Sequence, residues 1–197
     1  MGKIFVLVGK SCSGKDTVFR EIINRHIDEL ECVIPYTTRP MRPDEIDGKE
    51  YHFVTEENFF KAFDLGIIIE KRSYETSKGT WLYGTPKIAG NNHFIMIGTP
   101  EVIQSLRTCY PNNKIVVIYL NPPEKERIER IKRRDTDFAE TCRRYLTDEE
   151  DFKDFCGGFV LTSTDRKRVV QDVEDIITAY KQLSYAEQNI RKLRLGY

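Results

Sequence analysis

Residues 6 to 19, "VLVGKSCSGKDTVF", carry the feature that most restricts the fold: Gly9, Gly14 and Lys15 at the spacing G-x-x-x-x-G-K. The apolar run "KIFVLVG" leads into it and suits a central parallel strand covered on both faces. A helical stripe follows, with Val18, Ile22 and Arg25 on one side and Phe19 and Ile23 widening it. A strand, a glycine-rich turn and a helix in that order aim several backbone N–H groups at one anion. Gly9 and Gly14 permit backbone angles and close approaches that a Cβ forbids, and Lys15 can reach the outer phosphates of a polyphosphate. The candidate phosphate loop is Gly9, Lys10, Ser11, Cys12, Ser13, Gly14, Lys15, Asp16 and Thr17.

Asp16 is the irregular member, standing where a Ser or Thr hydroxyl ordinarily meets magnesium. A carboxylate is the oxygen donor that hard cations favour, and it repels a bare triphosphate while attracting the magnesium complex. At an effective dielectric of about 20, two unit charges ~4 Å apart interact by about 4 kcal/mol. The other reading is an N-terminal helix acid facing away, favourable by ~0.3–1 kcal/mol. Thr17 either bonds a phosphate or caps the turn. Cys12 reads as a small side chain in a tight loop.

Beyond the loop, apolar runs alternate with amphipathic stretches, the sequence form of an α/β fold. "CVIPY", "HFIMIG", "KIVVIYL" and "GFVLT" are the other candidate core strands. "PPEKERIERIKRR" opens with prolines at a helix start, and "RKRVVQDVEDIITAYKQL" has helical periodicity, with the final "SYAEQNIRKLRLGY" extending it or fraying. Residues 37–90 break this rhythm with "YHFV", a helix capped by Thr55, then "IIIEKRSY" and "TWLYG" separated by a turn-like "ETSKG". They read as a small, mostly β lobe inserted into a parallel-sheet domain.

The charge balance excludes some partners. The 31 basic and 31 acidic side chains cancel, so nothing drives the chain toward nucleic acid or a membrane surface, and no apolar run approaches the ~20 residues of a membrane helix. The opening "MGKIFVLVGK" reads as a buried strand rather than a leader. Five widely spaced cysteines without a C-x-x-C pair suit a reducing, cytoplasmic setting.

"PYTTRPMRPDEIDGKEYHFV", residues 35 to 54, puts Arg39 and Arg42 on a Pro-interrupted loop shortly before Tyr51. Two guanidinium forks and a phenol suit a second phosphate monoester; a solvated basic loop is the other reading. Arg127, Arg130 and Arg134 share one helix face at i, i+3 and i+7, although eight basic and six acidic side chains between residues 124 and 144 also fit a salt-bridged surface.

T-T-R-x-x-R followed by G-K-E-Y-x-F-V, the "IIIE" strand, "YGT" and the Arg-rich helix after "NPP" together resemble guanylate kinase, over about residues 3 to 177. The resemblance implies an α/β fold: a P-loop NTPase core whose parallel sheet is flanked by helices, an inserted mostly β monophosphate-binding lobe, and a helical lid. It implies a single domain over 1–197, with the core at about 1–36 and 91–183, the lobe at about 37–90 and the lid at about 130–148. It further implies phosphoryl transfer from ATP to GMP or dGMP, with Mg2+. The alternatives are a nucleoside monophosphate kinase with another or relaxed acceptor, and a non-catalytic binding module on the same fold. By position, Arg39, Arg42, Tyr51 and Tyr83 would hold the GMP phosphate. Glu70 would accept from guanine N1–H and the 2-amino group, and Thr85 supplies a base-contacting hydroxyl. Lys15, Arg130, Arg134 and Arg144 (or Arg143) would neutralise the moving phosphoryl group.

Four positions and one insertion depart from the family pattern: Pro35 for a guanine-contacting Ser, Met96 and Gly98 for two acids, Asp16 in the loop, and "ETSKG" inserted after Glu70. The expectation that follows is a transferred metal ligand, with the carboxylate lost from the core strand regained at Asp16.

Overall fold

The computed structural model describes residues 2–26, 29–76, 79–134 and 138–195. In chain order its elements are β1 (Ile4–Val8), α1 (Lys15–Arg25), β2 (Leu30–Cys32), β3 (Tyr36–Thr37), β4 (His52–Phe53), α2 (Glu56–Asp64), β5 (Ile68–Thr76) and β6 (Gly79–Pro86). There follow β7 (His93–Ile97), α3 (Pro100–Cys109), β8 (Ile115–Leu120), α4 (Glu124–Arg134), α5 (Phe138–Asp151), β9 (Phe159–Leu161) and α6 (Arg166–Leu195).

Every residue of β1 is buried, because helices cover both faces of the sheet it centres. The strand's period of two divides its side chains between two cores. Ile4, Val6 and Val8 pack with Phe94, Met96, Val102 and Leu106. Phe5 and Leu7 pack with Val18, Ile22, Val170 and Ile177 on the opposite face. The sheet runs β2-β7-β1-β8-β9, and all its pairings are parallel. In such sheets ligands sit at the carboxyl ends of the strands, where the winding reverses; here that point is the turn between β1 and α1.

A second sheet, β4-β3-β6-β5, is built around the long β5–β6 hairpin. "CVIPY" is not one core strand. Cys32 closes β2 in the parallel sheet, Tyr36 opens β3 in the other, and Pro35 between them has no N–H to give either ladder. "ETSKG" is less of a loop than its composition suggests, since Glu75 pairs with Thr80 and Thr76 with Gly79; residues 77 and 78 lie outside the described residues. Thr55 caps α2 as expected, its Oγ1 accepting from the Asn58 N–H at 3.3 Å. The C-terminal stretch extends α6 to Leu195. Among the described residues no helix is long and apolar enough to cross a membrane.

Candidate active site

The phosphate loop is shaped by close packing and by two left-handed residues. Gly14, at φ 98°, precedes α1, and Cys12 adopts φ 60°, which explains a small side chain there. A Cβ on Gly9 would stand 2.4 Å from Ser13 Oγ and 2.7 Å from the Leu120 carbonyl oxygen, so only glycine fits. Ser13 is buried, and its hydroxyl has no hydrogen-bond partner. That leaves a hydroxyl donor to spare in the glycine loop. Lys15 Nζ lies folded back, 3.5 Å from the Lys10 carbonyl oxygen.

Helix α5 closes the mouth of this loop with carboxylates that sequence reasoning missed. The Ser11 N–H donates to Asp148 Oδ2 at 2.7 Å, and Lys10 Nζ donates to Glu149 Oε1 at 2.6 Å. Buried Arg127 joins them, with Nη2 donating to Glu149 Oε1 at 3.0 Å and Nη1 3.6 Å from Asp148 Oδ2. Of the three arginines sharing that helix face, Arg127 therefore serves this acidic pair. Arg130 stands at the loop itself, its Nη1 3.7 Å from where a Gly14 Cβ would be. Arg143 and Arg144 are half-buried on α5. The Arg134 side chain and residues 135–137 of the expected lid lie outside the described residues.

Arg39 is 5 % exposed and bidentate on Glu45, with Nη1 and Nη2 donating to the two oxygens at 2.9 and 2.7 Å. Nη1 also donates to the Pro40 carbonyl at 2.8 Å, and the guanidinium lies over the Tyr51 and Phe53 rings at 5.4 and 5.5 Å. Burial works against its charge, but Glu45 more than offsets that and holds Arg39 above its usual value. Glu45, missed at the sequence level, is held below the usual carboxylate range: burial opposes ionisation, but Arg39 and the Arg42 N–H prevail. The Arg42 side chain is exposed on the same loop. Tyr51 and Tyr83 meet edge to face at 5.8 Å. Burial, foremost, and then the charges of Tyr83 and Asp16 push the Tyr51 phenol up to about 12. It is thus a neutral donor at any working pH, and Asp16 is exposed in the first turn of α1.

On the hairpin, Glu70 pairs with Thr85 and Arg72 with Tyr83, so strand alternation sets all four on one face. Thr85 Oγ1 donates to Glu70 Oε1 at 2.6 Å, and both side chains are buried. Arg72 Nε donates to Glu70 Oε2 at 3.1 Å. Arg72 Nη1 reaches Thr99 Oγ1 at 3.3 Å, at the start of α3. The acids expected along β7 have no substitutes in place: Met96 is core, and a Cβ on Gly98 would stand 2.8 Å from Val6 Cγ1. Among the described residues no group of three His, Cys, Asp or Glu side chains could hold a metal ion. Any cation here would therefore share its oxygens with a ligand.

A family model described as guanylate kinase matches residues 1–180. A guanylate kinase of Chelativorans sp. is 31% identical over 189 residues, 90% of this chain and 83% of the relative. One of Nostoc sp. is 33% identical over 153 residues, covering 74% and 73%. The crystal structure of guanylate kinase from Anaplasma phagocytophilum superposes with a TM-score of 0.65 at 20% identity, covering 91% of this chain and 86% of that one.

Proposed function

The chain belongs to the guanylate kinase family, and from that premise we propose that it transfers the γ-phosphoryl group of ATP to GMP or dGMP, releasing ADP and the nucleoside diphosphate. The observation that carries the acceptor is the buried Glu70–Thr85 contact on the sheet face that also bears Tyr83. Guanine alone among the common bases presents two adjacent donors, N1–H and the 2-amino group, to one carboxylate. Thr85 takes one of the carboxylate's roughly four lone-pair positions and Arg72 another, which leaves the two that guanine requires.

In this reading the loop from Gly9 to Thr17 seats the ATP phosphates, and residues 37–90 form the acceptor lobe against a core of about 1–36 and 91–183. Arg39 keeps two of its five N–H groups after Glu45 and Pro40 are served. With Arg42, Tyr51 and Tyr83 these hold the acceptor phosphate, whose oxygen is already a nucleophile and needs no general base. Lys15 and the lid arginines Arg130, Arg134 and Arg144 spread the charge of the transferring group, where a single transition-state arginine contributes about 10³–10⁵ in rate. Lid closure over residues 130–148 excludes water and suppresses hydrolysis. Asp16 fits magnesium, being a carboxylate beside the loop in a chain whose β7 offers none. The ion's chemistry is to neutralise the β- and γ-phosphate oxygens. The decisive experiment measures ADP release with GMP, dGMP, AMP, CMP and UMP across a magnesium series. GMP and dGMP should be used and the others not. Equal turnover of AMP would refute the acceptor assignment.

A further inference from the structure

We infer that Arg72 is a second base reader, which donates to the C6 carbonyl oxygen of guanine beside the carboxylate that accepts from N1–H. The inference rests on the GMP reading above. Pro35 has no side-chain donor to offer a base, and Gly98 is closed off by Val6. The acceptor edge of guanine therefore needs a donor from elsewhere.

Arg72 is placed to be that donor. Its side chain is 10% exposed, deep in the hairpin face, and Nε is already fixed on Glu70 Oε2. In a guanidinium the N–H beside Nε–H points nearly parallel to it. In guanine O6 likewise lies beside N1. A base that donates N1–H to Glu70 thus brings O6 toward the N–H next to the one already in use. The donor count allows it: of five N–H groups, one serves Glu70 and one Thr99, leaving three. Glu70 Oε2 pairs with the guanidinium at 3.1 Å, and Thr99 at the start of α3 accepts from it. Adenine would set its 6-amino donor against the same N–H groups, so the pair Glu70–Arg72 rejects it from both sides.

The test uses GMP and 6-thioguanosine monophosphate, which keeps N1–H and the 2-amino group but carries a weakly accepting sulfur in place of O6. Dissociation constants for both, and kcat/KM for GMP, are measured in the unsubstituted enzyme, Arg72→Ala and Arg72→Gln. Arg72→Ala should weaken GMP about 10- to 100-fold, the size of a base-edge contact to arginine, and shift the 6-thio nucleotide by less than about threefold. Arg72→Gln, which keeps an N–H, should recover part of the GMP preference. If Arg72 merely positions Glu70, both nucleotides lose affinity together, because each donates both N1–H and its 2-amino group to Glu70. An unchanged ratio therefore overturns the inference while leaving GMP kinase activity standing. Failure of the unsubstituted enzyme to use GMP overturns both.

Discussion

Glu45→Ala removes both carboxylate oxygens that hold Arg39 and leaves a guanidinium, 5 % exposed, with one carbonyl and two aromatic faces. Water entering the space is a weaker partner for that charge than the carboxylate it replaces. Removing one member of a buried ion pair costs about 3–5 kcal/mol, because the stranded charge keeps its desolvation penalty. For a chain near 200 residues each kcal/mol moves the midpoint by roughly 2–4 °C, so thermal unfolding should come about 6–20 °C earlier. The assay is a melting curve in chloride and in phosphate buffer. Phosphate should recover part of the loss, since an anion can take the place that Glu45 held. A midpoint within about 2 °C of the unsubstituted protein would refute the claim that this pair is buried and coupled.

Three further outcomes are expected. Asp16→Ser should raise the magnesium needed for half-maximal turnover by about tenfold, the effect of ~1.4 kcal/mol of metal affinity, and an unchanged titration removes Asp16 as the ligand. Asp148→Asn should lower the KM for ATP several-fold, because it takes a negative charge from the Ser11 amide where phosphate must sit; a raised KM shows that Asp148 assists nucleotide binding instead. Tyr51 gives a pH signature with a definite sign. Its folded value is about 12, above the ordinary ~10, so its contribution to stability is complete below about pH 10 and is lost as pH rises through about 12. Tyr51→Phe should flatten the alkaline fall in melting temperature over that window, and superimposable profiles contradict it.

The features legible in the sequence are those governed by neighbours along the chain. Gly9, Gly14 and Lys15 follow from one strand and one turn. Glu70, Thr85 and Tyr83 come from the family resemblance, and the hairpin register explains why they share one face. Arg72 stands on the same strand, but nothing local says that it reaches Thr99, 27 residues onward. Asp148 and Glu149 are harder still, since they meet Ser11 and Lys10 across 137 and 139 residues and look like any acidic helix surface. Glu45 reads as a loop charge until the chain folds Arg39 beneath it. "CVIPY" misled because apolar character marks burial but not which sheet does the burying, and Pro35 decided that.

The acidic cover that α5 lays over the glycine loop means that the Ser11 amide and the Lys10 ammonium already hold carboxylate partners. A nucleotide arrives by exchange, one anion leaving as another enters. Free sulfate or inorganic phosphate, too small to engage Lys15, the lid and the acceptor lobe together, has little with which to displace the resident. The loop is thus shielded from abundant small ions by side chains of its own chain.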